Sequence, residues 1–314
     1  EMCGRDWSSD VCSSDLGDEF VIVFEDVSSE EELASKLDDL LNAISEPIIH
    51  DSTRISTTVS MGVSVFVPSS ANFTAIMREA DIALYAPKQA GRNRGNFFSE
   101  EMGAQARARD MVEVELKRAI ENREFILHYQ PRLNLRTGQV VSVEALVRWE
   151  NPTRGLIMPA DFIPICEETG MIEDLGQLIL EMACMEAIAW HRTGRDIELS
   201  VNISPRQFND NRLLQSLDAF SQHPDFPQGK IELEITENVL IGDHDLIAEK
   251  LQAISRMGYR IAIDDFGTGY SNLSYISRFP LNCLKIDQSF TSQLPKSGPI
   301  ISLILTLGKQ IGVT

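Results

Sequence analysis

Positive charge is scarce in this 314-residue chain, and the shortage excludes one class of partner. Lys and Arg together number 28 against 47 Asp and Glu, which gives a formal net charge of −19. No Lys- or Arg-rich run interrupts this acidic balance. Because binding to a polymeric nucleic-acid backbone depends on clustered positive charge, we expect neither DNA nor RNA as a partner. A small anionic ligand, held through metal ions and one or two cationic side chains, stays compatible with the composition.

Long apolar runs and patterned cysteines are lacking as well. Every apolar run is far shorter than the roughly 18 residues that a membrane span needs. The five cysteines, Cys3, Cys12, Cys166, Cys184 and Cys283, have neither metal-type nor disulfide-type spacing. We therefore expect a reduced, cytoplasmic setting, although segments outside this chain could anchor the parent protein in a membrane.

Short apolar runs alternate with helical spacing in the second part of the chain. Five runs have the character of buried strands, at residues 140–149, 199–203, 231–235, 261–264 and 283–286. Helical segments separate them, which predicts an α/β fold with a parallel sheet. Because no glycine-rich dinucleotide loop follows any of the strands, a barrel is favoured over an open sheet.

Each of these five strands carries polar side chains that an apolar core would not accept. They are Glu144, Asn202, Glu234, the pair Asp264 and Asp265, and Lys285 followed by Asp287. In a parallel barrel the carboxyl ends of all strands meet at one rim, so these residues are expected to cluster there. The carboxylates would repel one another without cations. A pair of divalent ions resolves the repulsion and supports phosphoryl displacement, with Lys285 near the developing charge or the nucleophilic water.

Taken singly, each residue also has a purely structural interpretation. Glu144 suits the solvent face of an edge strand, and Asn202 suits the cap of the helix that follows it. Lys285 suits a surface ion pair with Asp287, and two aspartates before a glycine suit a turn. The coincidence of polar residues at matching positions on five strands favours the metal site over these alternatives.

The sequence blocks around these positions occur in a familiar order. They are EALVRW at 144–149, SVNISP at 200–205, ELEITE at 232–237, DDFGTG at 264–269 and LKID at 284–287. Over about residues 113–314 the chain resembles the EAL-domain cyclic-di-GMP phosphodiesterases. The resemblance implies a TIM-like barrel, a Mg²⁺ or Mn²⁺ cofactor, and hydrolysis of cyclic di-GMP to linear pGpG.

The resemblance also assigns roles to individual residues. It implies metal ligation by five residues: Glu144, Asn202, Glu234, Asp264 and Asp265. It implies a catalytic group of four residues, in which Lys285 assists the water molecule: Lys285, Glu144, Asp264 and Asp265. It implies substrate contacts by four residues: Gln130, Leu146, Arg148 and Asp287. Glu237 is expected to anchor the loop at residues 266–270, which couples homodimerisation to metal binding. The alternative is a non-catalytic cyclic-di-GMP receptor that signals through a junction helix.

The first part of the chain resembles the C-terminal half of a GGDEF (diguanylate cyclase) domain. The matching pieces are GDEF at 17–20, SMGV at 60–63, ADIALY at 80–85, Lys88 and GRN at 91–93. Leu16 stands where the family has a glycine, and Pro87 where it usually has alanine. Because the family's earlier half is absent from the chain, we expect no cyclase activity and a regulatory or dimerising role. An upstream sensory domain is compatible with this arrangement.

Four segments are predicted along the chain. Residues 1–16 resemble the translation of a sequencing-adapter oligonucleotide and are interpreted as an assembly scar. Residues 17–99 are the partial GGDEF domain, residues 100–112 a linker or junction helix, and residues 113–314 the EAL domain. The chain stops before two further strands of the family, and a barrel of this kind needs about 250 residues. We therefore expect an incomplete barrel with an unpaired sheet edge, and weak or absent activity for this chain by itself.

Overall fold

The computed structural model describes residues 11–16, 19–25, 27–50, 53–66, 72–90, 94–267, 276 and 278–314. The chain divides into two compact units, Glu1–Asp110 and Met111–Thr314. The motif residues 17, 18, 91–93 and 268–270 lie outside the described residues. No helix in the described ranges combines the length and hydropathy needed to cross a bilayer.

The first unit contains short strands and two long helices. Its strands are β1 (Val11–Leu16), β2 (Glu19–Val23), β3 (Ile48–His50), β4 (Thr53–Ile55), β5 (Met61–Val63) and β6 (Gly95–Phe97), and its helices are α1 (Glu30–Ser45) and α2 (Phe73–Ala90). β5 and β6 pair in parallel, while β1–β2 and β3–β4 are antiparallel pairs. The side chain of Ser29 caps α1 by accepting a hydrogen bond from the Glu32 amide, as is typical of serine at this position.

Three features of the first unit differ from expectation. Strand β1 lies inside residues 1–16, which are interpreted above as an assembly scar; pairing with β2 supplies its backbone hydrogen bonds. Residues 56–66 are rich in Ser, Thr and Val, which favours a strand, but only β5 within them is one. Helix α2 continues through Pro87 to Ala90, although a proline inside a helix favours a bend or an end there. At Gly62 in β5 a Cβ would lie 1.9 Å from the Ala80 carbonyl oxygen, so only glycine permits this approach of strand and helix.

The second unit holds the larger sheet. Its strands are β7 (Phe125–Leu133), β8 (Val140–Asn151), β9 (Gly155–Ile157), β10 (Glu198–Ile203), β11 (Ile231–Thr236), β12 (Arg260–Phe266) and β13 (Cys283–Ile286). Its helices are α4 (Pro159–Thr169), α5 (Ile172–Arg192), α6 (Pro205–Asn209), α7 (Asn211–Ser221), α8 (His244–Arg256), α9 (Gln288–Ser292) and α10 (Gly298–Ile311). The junction predicted over residues 100–112 is part of one continuous helix, α3 (Glu100–Asn122), which contains the boundary between the units.

The sheet of the second unit curls as a barrel does. Its strand order is β13-β12-β11-β10-β8-β7, and the five strands β8, β10, β11, β12 and β13 are parallel. In a flat sheet β13 and β8 would be about 19 Å apart, because neighbouring strands are spaced about 4.8 Å. Instead, Lys285 on β13 lies 3.1 Å from Glu144 on β8. The curl brings the carboxyl ends of distant strands together, and the expected incomplete TIM-like barrel is confirmed.

Two strands depart from the parallel pattern, and both pair antiparallel with β8: the short β9 and β7. β7 pairs antiparallel with β8 and continues through Pro131 to Leu133, although a proline favours the end of a strand. β7 ends the strand order in the described sheet, and an edge strand tolerates a residue without a backbone N–H. The hairpin places Gln130 directly opposite Glu144.

The core of the second unit lies between the sheet and its helices. Trp149 on β8 is fully buried and meets Phe162 of α4 edge-on, with ring centroids 6.0 Å apart. It also stacks on Phe125, and its indole N–H donates to Glu124 at 3.2 Å. These contacts hold the β7–β8 hairpin against helix α4.

We predict that Trp149→Ala destabilises the second unit by about 4 kcal/mol, because it leaves a large cavity and an unpaired acceptor on Glu124. Chemical denaturation followed by circular dichroism measures the change. Leu135→Ala is the control, because the Leu135 side chain is fully exposed and should leave the midpoint unchanged. An unchanged midpoint for Trp149→Ala would contradict the packing described.

Candidate active site

Three carboxylates surround one ammonium group inside the curled sheet. The Nζ atom of Lys285 lies 3.1 Å from Glu144 Oε2, 2.5 Å from Glu234 Oε2 and 2.9 Å from Asp264 Oδ2. The side chain of Glu234 is 0% exposed, and those of the other two acids are about one-fifth exposed. Four different strands therefore supply one compact ionic cluster.

Strand register explains how these side chains meet. Glu234 on β11 lies beside Asn202 on β10, and Ser200 on β10 lies beside Glu144 on β8. Because side chains alternate between the two faces of a strand, all of these residues point to the inner face. The Asn202 amide donates to Glu144 Oε1 at 2.9 Å, which adds the amide to the cluster.

Two of the structural interpretations, those of Asn202 and Lys285, differ from what the structure shows. The cap of α6 is Ser204, which accepts from the Gln207 amide, so Asn202 does not serve as the cap. Lys285 pairs with the three carboxylates described above, not with Asp287. Asp287 instead caps α9 by accepting from the Ser289 amide at 2.8 Å.

The electrostatics of the cluster follow from burial and crowding. Burial raises the pKa of Glu234, and the nearby charge of Glu144 raises it further, while Lys285 opposes both effects. Burial alone would lower the pKa of Lys285, but attraction and hydrogen bonds to Glu234 and Asp264 outweigh it, so the pKa of Lys285 is raised. The ammonium is therefore the cation that keeps the carboxylates together.

The donor set fits a divalent cation. One oxygen each from Glu144, Glu234 and Asp264 lies within 4.8 Å of the other two. The buried Oε1 of Glu234 has no hydrogen bond, although a guanidinium nitrogen of Arg132 lies 3.6 Å away. Carboxylate and amide oxygens are the ligands that hard cations such as Mg²⁺ prefer. The cluster could thus hold a metal ion in the place where the ammonium now satisfies the charge.

Asp265 is not among the three acids whose oxygens lie within 4.8 Å of one another. Its side chain is exposed and its φ of +52° is in the left-handed region, which non-glycine residues rarely adopt. Burial, the adjacent charge of Asp264 and a hydrogen bond with Asp287 raise the pKa of Asp265. The structure therefore brings Asp265 to Asp287, and its role as a metal ligand stays a prediction.

The predicted substrate residues follow one face of the β7–β8 hairpin. Gln130 lies opposite Glu144, and Leu146 and Arg148 continue along the same face of β8 because they are two and four residues further on. Gln130 is exposed, while Leu146 and Arg148 are half-buried. An Arg148 guanidinium N–H donates to the Val147 carbonyl at 2.8 Å. A ligand bound next to the carboxylates would contact this face of the β7–β8 hairpin.

The predicted loop anchor makes a direct contact with the loop. Glu237 is buried at 4% exposure, and its Oε2 accepts from the Gly267 amide at 3.0 Å. Gly267 has φ of +100°, so the turn after β12 needs glycine at this position. Glu237 thus fixes the start of the loop beside Asp264 and Asp265.

A second ionic group on the inner face is not predicted by the sequence. Glu232 is 1% exposed and lies two residues before Glu234 on β11. Arg132 on β7 donates to Glu232 Oε1 at 2.7 Å, and Arg260 on β12 approaches Glu232 Oε2 at 3.5 Å. The alternate spacing of Glu232 and Glu234 could have indicated two acids on one face of a strand. Arg132 and Arg260 give no such indication, because only the strand register shows that they face these acids.

Comparison with known families agrees with this geometry. Residues 113–314 match the EAL domain family. Residues 3–94 match the family described as diguanylate cyclase, GGDEF domain. The chain belongs to the EAL domain family, with a GGDEF segment before the EAL domain.

Individual relatives support the same classification. The chain is 36% identical over 302 residues, 95% of its length, to the bifunctional diguanylate cyclase/cyclic di-GMP phosphodiesterase MucR of Pseudomonas aeruginosa, and covers 44% of that protein. It is 35% identical over 290 residues, 92% of its length, to the cyclic di-GMP phosphodiesterase PdeR of Escherichia coli, covering 43% of it. The chain therefore spans less than half of either relative.

A solved structure is similar as well. The structure described as "PaMucR Phosphodiesterase, c-di-GMP complex" aligns with 65% of this chain and 84% of its own chain. The TM-score is 0.61 and the sequence identity is 37%. The curled sheet described above is thus the fold of an EAL domain.

We predict that Lys285→Met destabilises the metal-free chain by about 3 kcal/mol, because it leaves three close carboxylates without a cation. Saturating Mn²⁺ should restore most of this loss, since a metal ion binds the same oxygens. Urea unfolding with and without Mn²⁺ measures both effects.

Lys230→Met is the matched control for this experiment. Lys230 pairs at the surface with Asp196, which is 83% exposed, so its loss should change stability by less than about 1 kcal/mol. Equal stability of the metal-free Lys285→Met and Lys230→Met variants would contradict the role given to Lys285.

Proposed function

We propose that the protein to which this chain belongs is a metal-dependent phosphodiesterase that hydrolyses cyclic di-GMP to linear pGpG. The observation that carries the proposal is the convergence of Glu144, Glu234 and Asp264 on Lys285 at the mouth of an EAL barrel. The relatives MucR and PdeR, which are named as cyclic di-GMP phosphodiesterases, give the substrate class.

The chemistry that we propose uses Mg²⁺ or Mn²⁺ as the cofactor. The predicted ligands are Glu144, Asn202, Glu234, Asp264 and Asp265. Two such ions, when bound, polarise the phosphodiester and lower the pKa of a water molecule. The donor set of the cluster supports this choice, because all its ligand atoms are oxygens.

The residues of the chain then account for the remaining requirements of hydrolysis. The water oxygen attacks phosphorus, one bridging P–O bond breaks, and the leaving oxygen takes up a proton. Lys285 places a positive charge where negative charge develops on the phosphoryl oxygens. The planar guanidinium of Arg148 suits a second phosphate of the ligand. Gln130, Leu146 and Asp287 are proposed as further substrate contacts.

All five predicted metal-ligand positions carry a side chain with an oxygen donor, and this favours an enzyme over a receptor. A receptor that only binds cyclic di-GMP has no need to keep three carboxylates around a lysine, because the arrangement is costly when buried.

Four further expectations stay predictions. They are homodimerisation through the EAL domain, an upstream sensory domain, a cytoplasmic location, and weak activity of the 314-residue chain by itself.

We predict that the full-length protein converts cyclic di-GMP to linear pGpG in the presence of Mg²⁺, and that Glu144→Ala lowers kcat at least 100-fold. The reason is that this change removes one oxygen ligand and the acceptor of the Asn202 amide. Separation of the nucleotides by liquid chromatography measures the product.

Glu249→Ala is the matched control, because Glu249 is an exposed acid on α8 outside the cluster, and its activity should equal that of the unmodified protein. If the unmodified protein binds cyclic di-GMP with Mg²⁺ present and forms no linear product, the enzyme proposal is wrong and a receptor remains.

A further inference from the structure

A second layer of charge lies directly beneath the carboxylate cluster. Glu232 and Glu234 are alternate residues of β11, so both side chains point to the inner face, and both are almost completely buried. Two buried like charges on one strand repel each other and need a cation between them. Arg132 occupies this place, because it contacts Glu232 at 2.7 Å and lies 3.6 Å from Glu234.

The guanidinium of Arg132 has three separate contacts. Its Nε donates to the Ser142 hydroxyl at 2.5 Å, its Nη2 donates to Glu232 Oε1, and its Nη1 faces Glu234 Oε1. Glu232 and Ser142, which are 1% and 3% exposed, hold the planar fork in one orientation. A rigid fork of this kind fixes a neighbouring carboxylate better than a lysine ammonium does.

The two oxygens of Glu234 face different cations. Oε2 binds Lys285, and Oε1 faces Arg132. A metal ion at the cluster competes with Lys285 for the same carboxylate oxygens, whereas Arg132 approaches Glu234 from the layer below. Arg132 can therefore keep Glu234 in place when the contact with Lys285 is given up.

We propose that Arg132 is a positioning residue of the metal centre. Fixed by Ser142 and Glu232, it orients the Glu234 carboxylate for metal binding and thereby sets the affinity for the divalent ion. This inference rests on the function proposed above, because it assumes that the cluster binds metal. Outer contacts of this kind commonly change metal affinity 10- to 100-fold.

The test uses the neutral double change Arg132→Met with Glu232→Gln in the 314-residue chain. It removes one positive and one negative charge, so the net charge of the site is unchanged and the contact with Glu234 is lost. The dissociation constant for Mn²⁺, measured by titration calorimetry without substrate, should rise about tenfold. The thermal midpoint of the metal-free chain measures stability separately.

A matched control removes the other half of the same ionic group. Arg260 contacts Glu198 at 3.6 Å and Glu232 at 3.5 Å. Arg260→Met with Glu198→Gln is also charge-neutral and leaves the contact between Arg132 and Glu234 intact. Its dissociation constant for Mn²⁺ should stay within about twofold of that of the unmodified chain, as expected for a change that spares the ligand's own contact.

The outcomes separate the two proposals. Equal Mn²⁺ affinity in both double variants and the unmodified chain would overturn the role of Arg132 alone. Absence of Mn²⁺ binding in the unmodified chain would overturn the metal centre, and this inference with it. Should the Arg132 double variant fail to fold, Arg132→Lys replaces it, because it keeps the charge and loses the fork; an unchanged dissociation constant there would equally overturn the inference.

Discussion

The arrangement of the second unit depends on one interaction, the attraction between the Lys285 ammonium and the carboxylates of Glu144, Glu234 and Asp264. These acids come from three strands, and without a cation their repulsion would oppose the curl that brings the strand ends together. A divalent ion carries more charge than an ammonium and binds the same type of oxygen. The lysine ammonium therefore balances the carboxylates, and the same oxygens could hold a metal ion.

Beneath this cluster the inner face of the sheet is again ionic instead of apolar. Arg132 and Arg260 neutralise Glu232, and Arg132 also faces Glu234. Burying apolar side chains at these positions would require less free energy, because desolvating charged groups costs several kcal/mol each. Local departures from the rule of an apolar interior are typical of functional sites. The two ionic layers, joined through Arg132, are such a departure, and they orient the side chains that the proposed reaction needs.

The sequence predicts the parallel strands and the site better than the remaining structure, for physical reasons. The run predicted at 231–235 is β11, Ile231–Thr236, because its apolar residues alternate with Glu232 and Glu234 at the two-residue period of a strand. The course of β7 through Pro131 is not predictable in this way, because it depends on the strand's place at the end of the sheet. Arg132 was missed because its partner Glu232 lies 100 positions further along the chain, and only the curl of the sheet brings them together.

The central claim is that the group of oxygens now held by Lys285 is a binding site for divalent metal. The most direct measurement is a crystal structure of the chain grown with Mn²⁺, with anomalous scattering to locate the ions. The account predicts anomalous peaks within coordination distance of Glu144, Glu234 and Asp264, with the Lys285 ammonium moved off the oxygens that it shares with the metal. Mn²⁺ bound only elsewhere on the surface, with the lysine contacts unchanged, would contradict it.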